Sequence, residues 1–207
     1  MWRMEEVLDL YAEPYDPQRP QVCLDERPVQ LLGDTYAPIP MQTGRARRYD
    51  YEYERAGTAN LFMMVQPLAG WRMVKATQRR TKLDFAACLK DLVDVHFPTA
   101  DLIRVVLDNL NTHNPSSLYE AFAPHEARRI LRKLEFHYTP KHGSWLNMAE
   151  IEISVLSRQC LHQRLPTLVA LSDNVDAWTQ HRNEQAVKLH WCFNLDHART
   201  KLARLYP

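Results

Sequence analysis

Closely spaced cysteines are missing from this sequence of 207 residues. Its four cysteines, Cys23, Cys88, Cys160 and Cys192, form no CxxC pair and lie in apolar or helical surroundings, which argues against a zinc site or a disulfide framework. They read as buried, reduced thiols and fit a cytoplasmic setting. The histidines show no HExxH or comparable spacing, so a zinc hydrolase site is not expected. Long apolar runs are missing too: stretches such as LIRVVL fall far short of a membrane span, and MWRMEEVLDL is too short and too acidic for a signal peptide. No excess of charge of either sign exists, the formal net charge being +1, so any nucleic-acid partner must be met by a local patch. Internal repeats and low-complexity segments are absent. What remains is a chain with 45% hydrophobic residues, enough for one sizeable core.

Along the chain, residues 1–10 read as the tail of a helix, and YAEPYDPQRP then places three prolines in ten residues, a linker without regular structure. QVCLDE is a short apolar strand ending at Asp25, followed to about Thr43 by a stretch that is mostly loop. ANLFMMVQPLAGWRMVKAT reads as a hairpin, with strands near 60–66 and 71–77 around a turn at Pro67 to Gly70. Phe85, Leu89, Leu92, Val93 and Phe97 recur at helical spacing, which predicts a helix over about 81–97, with Thr81 or a neighbour near its start and Pro98 as its stop. DLIRVVL, a continuous apolar run between turn formers, has the signature of a strand buried on both faces.

A helical region over 115–133 broken at Pro124, a strand at LEFHYTP, a helix from Trp145 to about His162 and another over 167–186 complete the order, with WCFNLDHARTKLARLYP as a C-terminal extension. An antiparallel group followed by alternating helix and strand predicts an α/β fold, a mixed sheet with helices on its faces.

Three acids stand out by location. Asp25 ends the first strand, Asp108 ends the buried strand, and Glu150 lies in the first turn of a late helix after TPKHGSWLNMAE. If the two strands are sheet neighbours, both aspartates emerge at one end and the helix can add the glutamate. Three converging carboxylates repel one another, and a hard cation with oxygen ligands, Mg2+ or Mn2+, makes such a cluster tolerable. Each acid also has a structural reading: an aspartate at a strand end can be a turn former, and Glu150 can complete a capping box with Asn147. Glu152 competes with Glu150, but two residues along a helix is a rotation of about 200°, so both cannot face one site.

CLDE, VVLDNLNTH and PKHGSWLNMAE, in this order and spacing, resemble the three acidic motifs of the mariner-like insertion-sequence transposases, a branch of the DDE transposase and retroviral integrase superfamily. The resemblance covers roughly residues 20 to 165. It implies an RNase H-like core with a five-stranded mixed sheet, antiparallel hairpin strands plus parallel strands, and helices on both faces. It divides the chain into a lead-in helix and proline-rich linker (1–20), a DDE catalytic domain (21–165) and a C-terminal helical extension packed on the core (166–207). By position, Asp25, Asp108 and Glu150 match the metal-binding triad, which selects Glu150 over Glu152, and the implied cofactor is a pair of Mg2+ or Mn2+ ions. The implied activity is metal-dependent DNA cleavage and strand transfer. The implied partners are transposon ends, target DNA and further copies of the chain, and the implied location is the cytoplasm, on the nucleoid. Asn111, His113 and Asn147 are candidates to support the metal ligands or to touch phosphate.

Where many relatives have a proline after the asparagine of the third motif, this chain has Met148, so a looser helix start is expected. Family members carry helix-turn-helix modules before the core, whereas this chain starts almost at the core, so recognition of DNA ends is expected to need a region outside it. Two other functions stay open: an RNase H-like nuclease that hydrolyses without joining, and a truncated or domesticated remnant that only binds DNA or a partner. Lys141, His142 and Ser144 are read either as contacts to the scissile strand or as an exposed polar loop, and Arg79, Arg80 and Lys82 either as a phosphate dock or as a basic turn. Arg47 and Arg48, in RARRYDYEYER, belong to a DNA- or dimer-contacting arm or to a solvated edge hairpin. Trp71, Trp145, Trp178 and Trp191 are read as core or interface anchors.

Overall fold

The structure, a computed structural model, describes residues 1–46, 48 and 50–206. Strands β1 (Gln21–Asp34), β2 (Tyr53–Gln66) and β3 (Trp71–Thr77) form an antiparallel meander, and β4 (Ile103–Leu107) and β5 (Leu134–Tyr138) extend it in parallel from β1, giving the order β3-β2-β1-β4-β5. Parallel neighbours need a crossover long enough for a helix. The crossover into β4 contains α2 (Lys82–Asp91), which continues as a π-helical turn over Leu92–His96, and the crossover into β5 contains α3 (Ser116–Ala121) and α4 (Pro124–Leu131). Thr81 caps α2 through a capping box with Asp84, and Pro124 starts α4, where its missing N–H costs nothing.

Alternation along the strands sorts two apolar faces. Cys23, Leu61, Met63, Val65 and Val106 pack under α1 (Trp2–Ala12), α5 (Ala149–Gln159), α6 (Leu168–Glu184) and α7 (Leu195–Lys201). Val22, Leu24, Phe62, Met64, Val105 and Leu107 pack against α2, α3 and α4. Helices therefore cover both faces, and every residue of β4 is buried, including Arg104, whose guanidinium donates to Arg19 O at 2.7 Å and pairs with Glu13.

Four local features differ from the sequence reading. β1 does not end at Asp25 but runs to Asp34, and β2 begins at Tyr53 rather than near 60, so the two pair as a long ribbon as far as Asp34↔Tyr53. Beyond Glu26 the ribbon is mostly exposed, with Leu31 as its one β1 side chain buried in the core; pairing with β2, the Leu32 N–H bond to Leu165 O and the contacts of Arg164 with Asp34, Glu52 O and Asp50 O sustain it. Pro28 is tolerated there because β1 pairs with β4 only over Gln21 to Cys23 and is an edge strand at Pro28. The N-terminal helix reaches Ala12 and buries Met4, Val7, Leu8, Leu10 and Tyr11 in the common core. The helix expected from Trp145 is a 3-10 turn, Ser144–Leu146, separated from α5 by Asn147 and Met148. Of the cysteines, Cys192 is exposed, because it lies in the irregular stretch before α7.

Candidate active site

The parallel pairing of β1 and β4 sets Cys23 level with Val106. Continued by two residues, that register brings Asp25 level with Asp108, one residue past the end of β4, on strands about 4.8 Å apart. The two carboxylates differ in environment. Burial, opposed by the Glu26 N–H that bonds Asp25 Oδ1 at 2.8 Å, and then the charges of Asp108, Glu26 and Glu150 push the Asp25 carboxyl up to about 7. Asp108 is held below the usual carboxylate range, mainly by His113, with help from the Leu110 N–H and the Arg80 charge.

His113 lies beneath this end of the sheet with its side chain wholly buried. Its Nδ1 is 2.6 Å from Asp108 Oδ1, and its Nε2 is 2.6 Å from Glu26 Oε1. Burial works against a charged imidazole, but the bonds to Asp108 and Glu26 outweigh it and raise the His113 pKa to about 9.

Asn147 places the third acid. It is buried, its Nδ2 donates to Leu24 O at 2.7 Å, and its Oδ1 accepts the Ala149 N–H at 3.1 Å. The start of α5 is thereby tied to the residue just before Asp25. The Asn147 oxygen meets the Ala149 N–H rather than that of Glu150, so the expected capping box is not formed, and Met148 takes the N-cap position with no side-chain cap bond. Glu150 instead faces a cleft of about 430 Å3 between β1 and α5, which Asp25, Arg27, Ser154 and Arg158 also line, while the Glu26 side chain is buried against His113. Glu152 points elsewhere: fully buried, it lies 2.6 Å from Arg182 Nη2 and 3.3 Å from Arg72 Nε, so α5 carries one glutamate toward the cleft and one into the core.

The remaining expected residues divide by place. Arg79 and Arg80 follow β3, and Lys141 and His142 follow β5; all four are exposed at the end of the sheet that carries the acids, Arg80 close enough to lower the Asp108 pKa. Asn111 is exposed in the turn between Asp108 and His113. Arg48 lies in the loop at the tip of the β1–β2 ribbon, bridged to Ile39, and nine residues of strand separate Asp25 from that tip, roughly 30 Å. The structure does not bring Arg48 to the acids, and Arg47 lies outside the described residues. Trp178 is buried, whereas Trp145 is 44% exposed and stacks on Trp191.

Glu26, Arg27, Ser154 and Arg158 were missed from sequence. The signal for the last two was the spacing 150, 154, 158, which puts them on one helical face with Glu150. Arg27 and Arg158 form no ion pair among the described residues, although they stand beside carboxylates.

Oxygen donors of this kind suit a hard divalent cation, and the Asp25 carboxyl, raised by burial and by neighbouring negative charge, is a group that a cation would return to its charged form. Among the described residues, no three carboxylate, imidazole or thiol groups are gathered as a ready set of ion ligands. The donor chemistry therefore fits, and closure of the ligand set is left to what binds in the cleft.

The mixed 3-2-1-4-5 sheet with helices on both faces defines an RNase H-like fold. Residues 20–172 match the family described as DDE superfamily endonuclease, most of the chain, and the protein belongs to that family. Among curated proteins, no sequence match is found. Solved structures of similar fold include the Mos1 strand transfer complex (13% identity, TM-score 0.57, 89% of this chain and 58% of that one). The Mos1 transposase paired-end complex with the left transposon end (13%, 0.56, 89% and 60%) and the Mos1 mariner paired end complex with Mn (12%, 0.56, 89% and 59%) are similar to the same degree. At these identities the likeness is one of fold, and the chain spans 58–60% of the length of those Mos1 chains.

Proposed function

We propose that this chain is the catalytic core of a DNA transposase, in which Asp25, Asp108 and Glu150 hold divalent metal ions for DNA cleavage and strand transfer. The observation that carries the reading is the register that sets Asp25 level with Asp108, with Glu150 lining the same cleft as Asp25. Bound Mg2+ or Mn2+ would supply the charge that activates a water or a DNA 3′-hydroxyl and stabilises the leaving oxygen of an in-line displacement. Asp25 and Asp108 would be the most direct ligands and Glu150 would complete the set. Arg27 and Arg158 on one side of the acids, and Arg80 beside Asp108 on the other, offer guanidinium donors to the phosphates flanking the scissile bond. Lys141, His142 and Asn111 offer further donors at the same rim. Binding of transposon ends, target DNA and a second copy of the chain belongs to the same proposal, as does a separate helix-turn-helix region for recognising the ends and a site of action on DNA in the cytoplasm.

The test is incubation of the full chain with supercoiled plasmid and a labelled duplex bearing a free 3′-hydroxyl, with Mn2+ or Mg2+. Joined product that disappears in Asp108→Ala and Asp25→Asn proteins of unchanged circular dichroism is expected. Strand transfer retained by Asp108→Ala refutes the assignment. Metal-dependent cutting without joining makes the chain a nuclease on the same core, and DNA binding with neither reaction nor Mn2+ binding makes it a non-catalytic relic.

A further inference from the structure

We infer that Glu26 and His113 form a positioning pair that fixes the orientation of Asp108 and leaves it one oxygen for a metal ion; this rests on the proposed role of Asp108 as a ligand. Successive residues of a strand point to opposite faces, so β1 aims Asp25 at the α5 side and its neighbour Glu26 at the α2 side. There the Glu26 side chain is 2% exposed and His113 0%, and the His113 ring packs on Phe85 with centroids 4.8 Å apart. A carboxylate buried to that extent is costly without a partner, and His113 Nε2 at 2.6 Å is that partner.

The other ring nitrogen meets Asp108 Oδ1, also at 2.6 Å. The Asp108 carbonyl oxygen lies 3.2 Å from the same nitrogen, so an Nδ1–H faces both the side chain and the backbone of Asp108. The backbone around the histidine is pinned as well: Tyr138 Oη donates to His113 O at 2.9 Å, and Ser117 Oγ donates to Thr112 O at 2.9 Å.

Two consequences follow. Asp108 Oδ1 faces both His113 Nδ1 and the Leu110 N–H, at 3.2 Å, so Oδ2 is the oxygen left to bind a cation, in monodentate fashion. The same strand also governs both aspartates, Asp25 directly and Asp108 through the Glu26–His113 link, which fixes the spacing of the two carboxylates although Asp108 lies past the end of its own strand. Hydrogen-bonded groups behind metal ligands commonly account for about 10–100-fold in metal affinity.

The experiment is titration of the full chain with Mn2+, followed by electron paramagnetic resonance, for the wild type, His113→Gln, Glu26→Gln, Asp25→Asn and Asp108→Asn. Both His113→Gln and Glu26→Gln are expected to bind Mn2+ about 10–100-fold more weakly while remaining folded. Glu26→Gln keeps the size and one acceptor oxygen, and it decides the matter where His113→Gln does not fold. A role in stability alone would lower the denaturation midpoint but leave the folded protein's Mn2+ affinity untouched, and folded variants within about twofold of the wild type overturn the inference. If the aspartate variants lose Mn2+ while these two do not, the positioning pair fails and the metal site stands. If the aspartate variants also bind like wild type, or the wild type binds no Mn2+, the metal site itself fails.

Discussion

Glu150 and Glu152 stand two residues apart on α5 in opposite environments, so replacing each with glutamine separates stability from metal binding. The Glu152 carboxylate is buried between Arg182 and Arg72, and Arg72 is itself 0% exposed. The remaining Arg72 donors go to backbone oxygens of Gly70, Arg182 and Val187, so Glu152 is its only anionic partner among the described residues. Breaking a buried ion pair from one side costs about 3–5 kcal/mol, and glutamine, which keeps an acceptor oxygen, belongs at the lower end, about 3 kcal/mol. Against a total stability of about 5–15 kcal/mol this is a large loss. With a urea m-value of about 2–3 kcal/mol/M it moves the midpoint down by roughly 1 M or more. Glu150 is half-buried and has no ion pair among the described residues, so Glu150→Gln is expected within about 0.5 kcal/mol of wild type. Urea unfolding of the full chain by tryptophan fluorescence reads the stability, aided by the Arg182 guanidinium 5.8 Å from the Trp178 ring. Mn2+ titration of the folded proteins reads the site, and Glu150→Gln alone should weaken binding. The reasoning is refuted if Glu152→Gln unfolds at the wild-type midpoint and loses Mn2+, because the two glutamates would then have exchanged roles.

Three further expectations concern the cleft. With its carboxyl raised from 3.8 to about 7, Asp25 holds a proton in the folded state that the unfolded chain has already released. In chelator, its contribution to stability is thus fully present below about pH 4 and is lost as pH climbs toward 7, by up to about 4 kcal/mol. Asp25→Asn should flatten that part of the stability–pH curve, and equal slopes in the two proteins would contradict the burial argument. Asn147→Ala strands the buried Leu24 carbonyl and frees the start of α5. A loss of about 1–3 kcal/mol is expected, with weaker Mn2+ binding, and denaturation together with metal titration checks both. Replacing Arg27 and Arg158 by alanine should weaken DNA binding evenly across sequences and lower the slope of log affinity against log salt by about 0.9 for each phosphate no longer neutralised, measured by fluorescence anisotropy. An unchanged slope would take these guanidiniums off the DNA path.

The sequence was most readable where side-chain chemistry and backbone structure coincide. β4 is buried on both faces and wrote a run that is apolar apart from Arg104, Thr81 wrote the start of α2, and Pro124 wrote the break between α3 and α4. It was least readable where pairing and contacts distant in sequence hold the chain. Residues 27–34 and 53–59 present mostly exposed side chains, so nothing in their pattern reports the ladder that joins them. Asn147 was half readable: its Oδ1 accepts an N–H at the start of α5, from Ala149 rather than Glu150, while its Nδ2 reaches a carbonyl on a strand 123 residues earlier in the sequence. A long-range bond of that kind leaves no local trace. His113 and Glu26 show the same limit, because their relation exists only once β1 and β4 lie side by side.

The mismatch in strand length explains why the acids can occupy this place at all. β1 continues for eleven residues past Cys23, its last residue paired with β4, while β4 ends at Leu107. Had β4 continued, Asp25 would lie in the middle of a covered sheet, where an unpaired carboxylate is hard to sustain. Because β4 stops, Asp25 stands on a rigid strand with one flank open, Asp108 caps the shorter strand at the same level, and α5 supplies the opposite wall of the cleft. The long ribbon that the sequence concealed is thus the condition for the site. A β1 that ended at Asp25, as its apolar pattern suggested, would have put the aspartate on a turn free to move, instead of on a strand held by its ladder to β2.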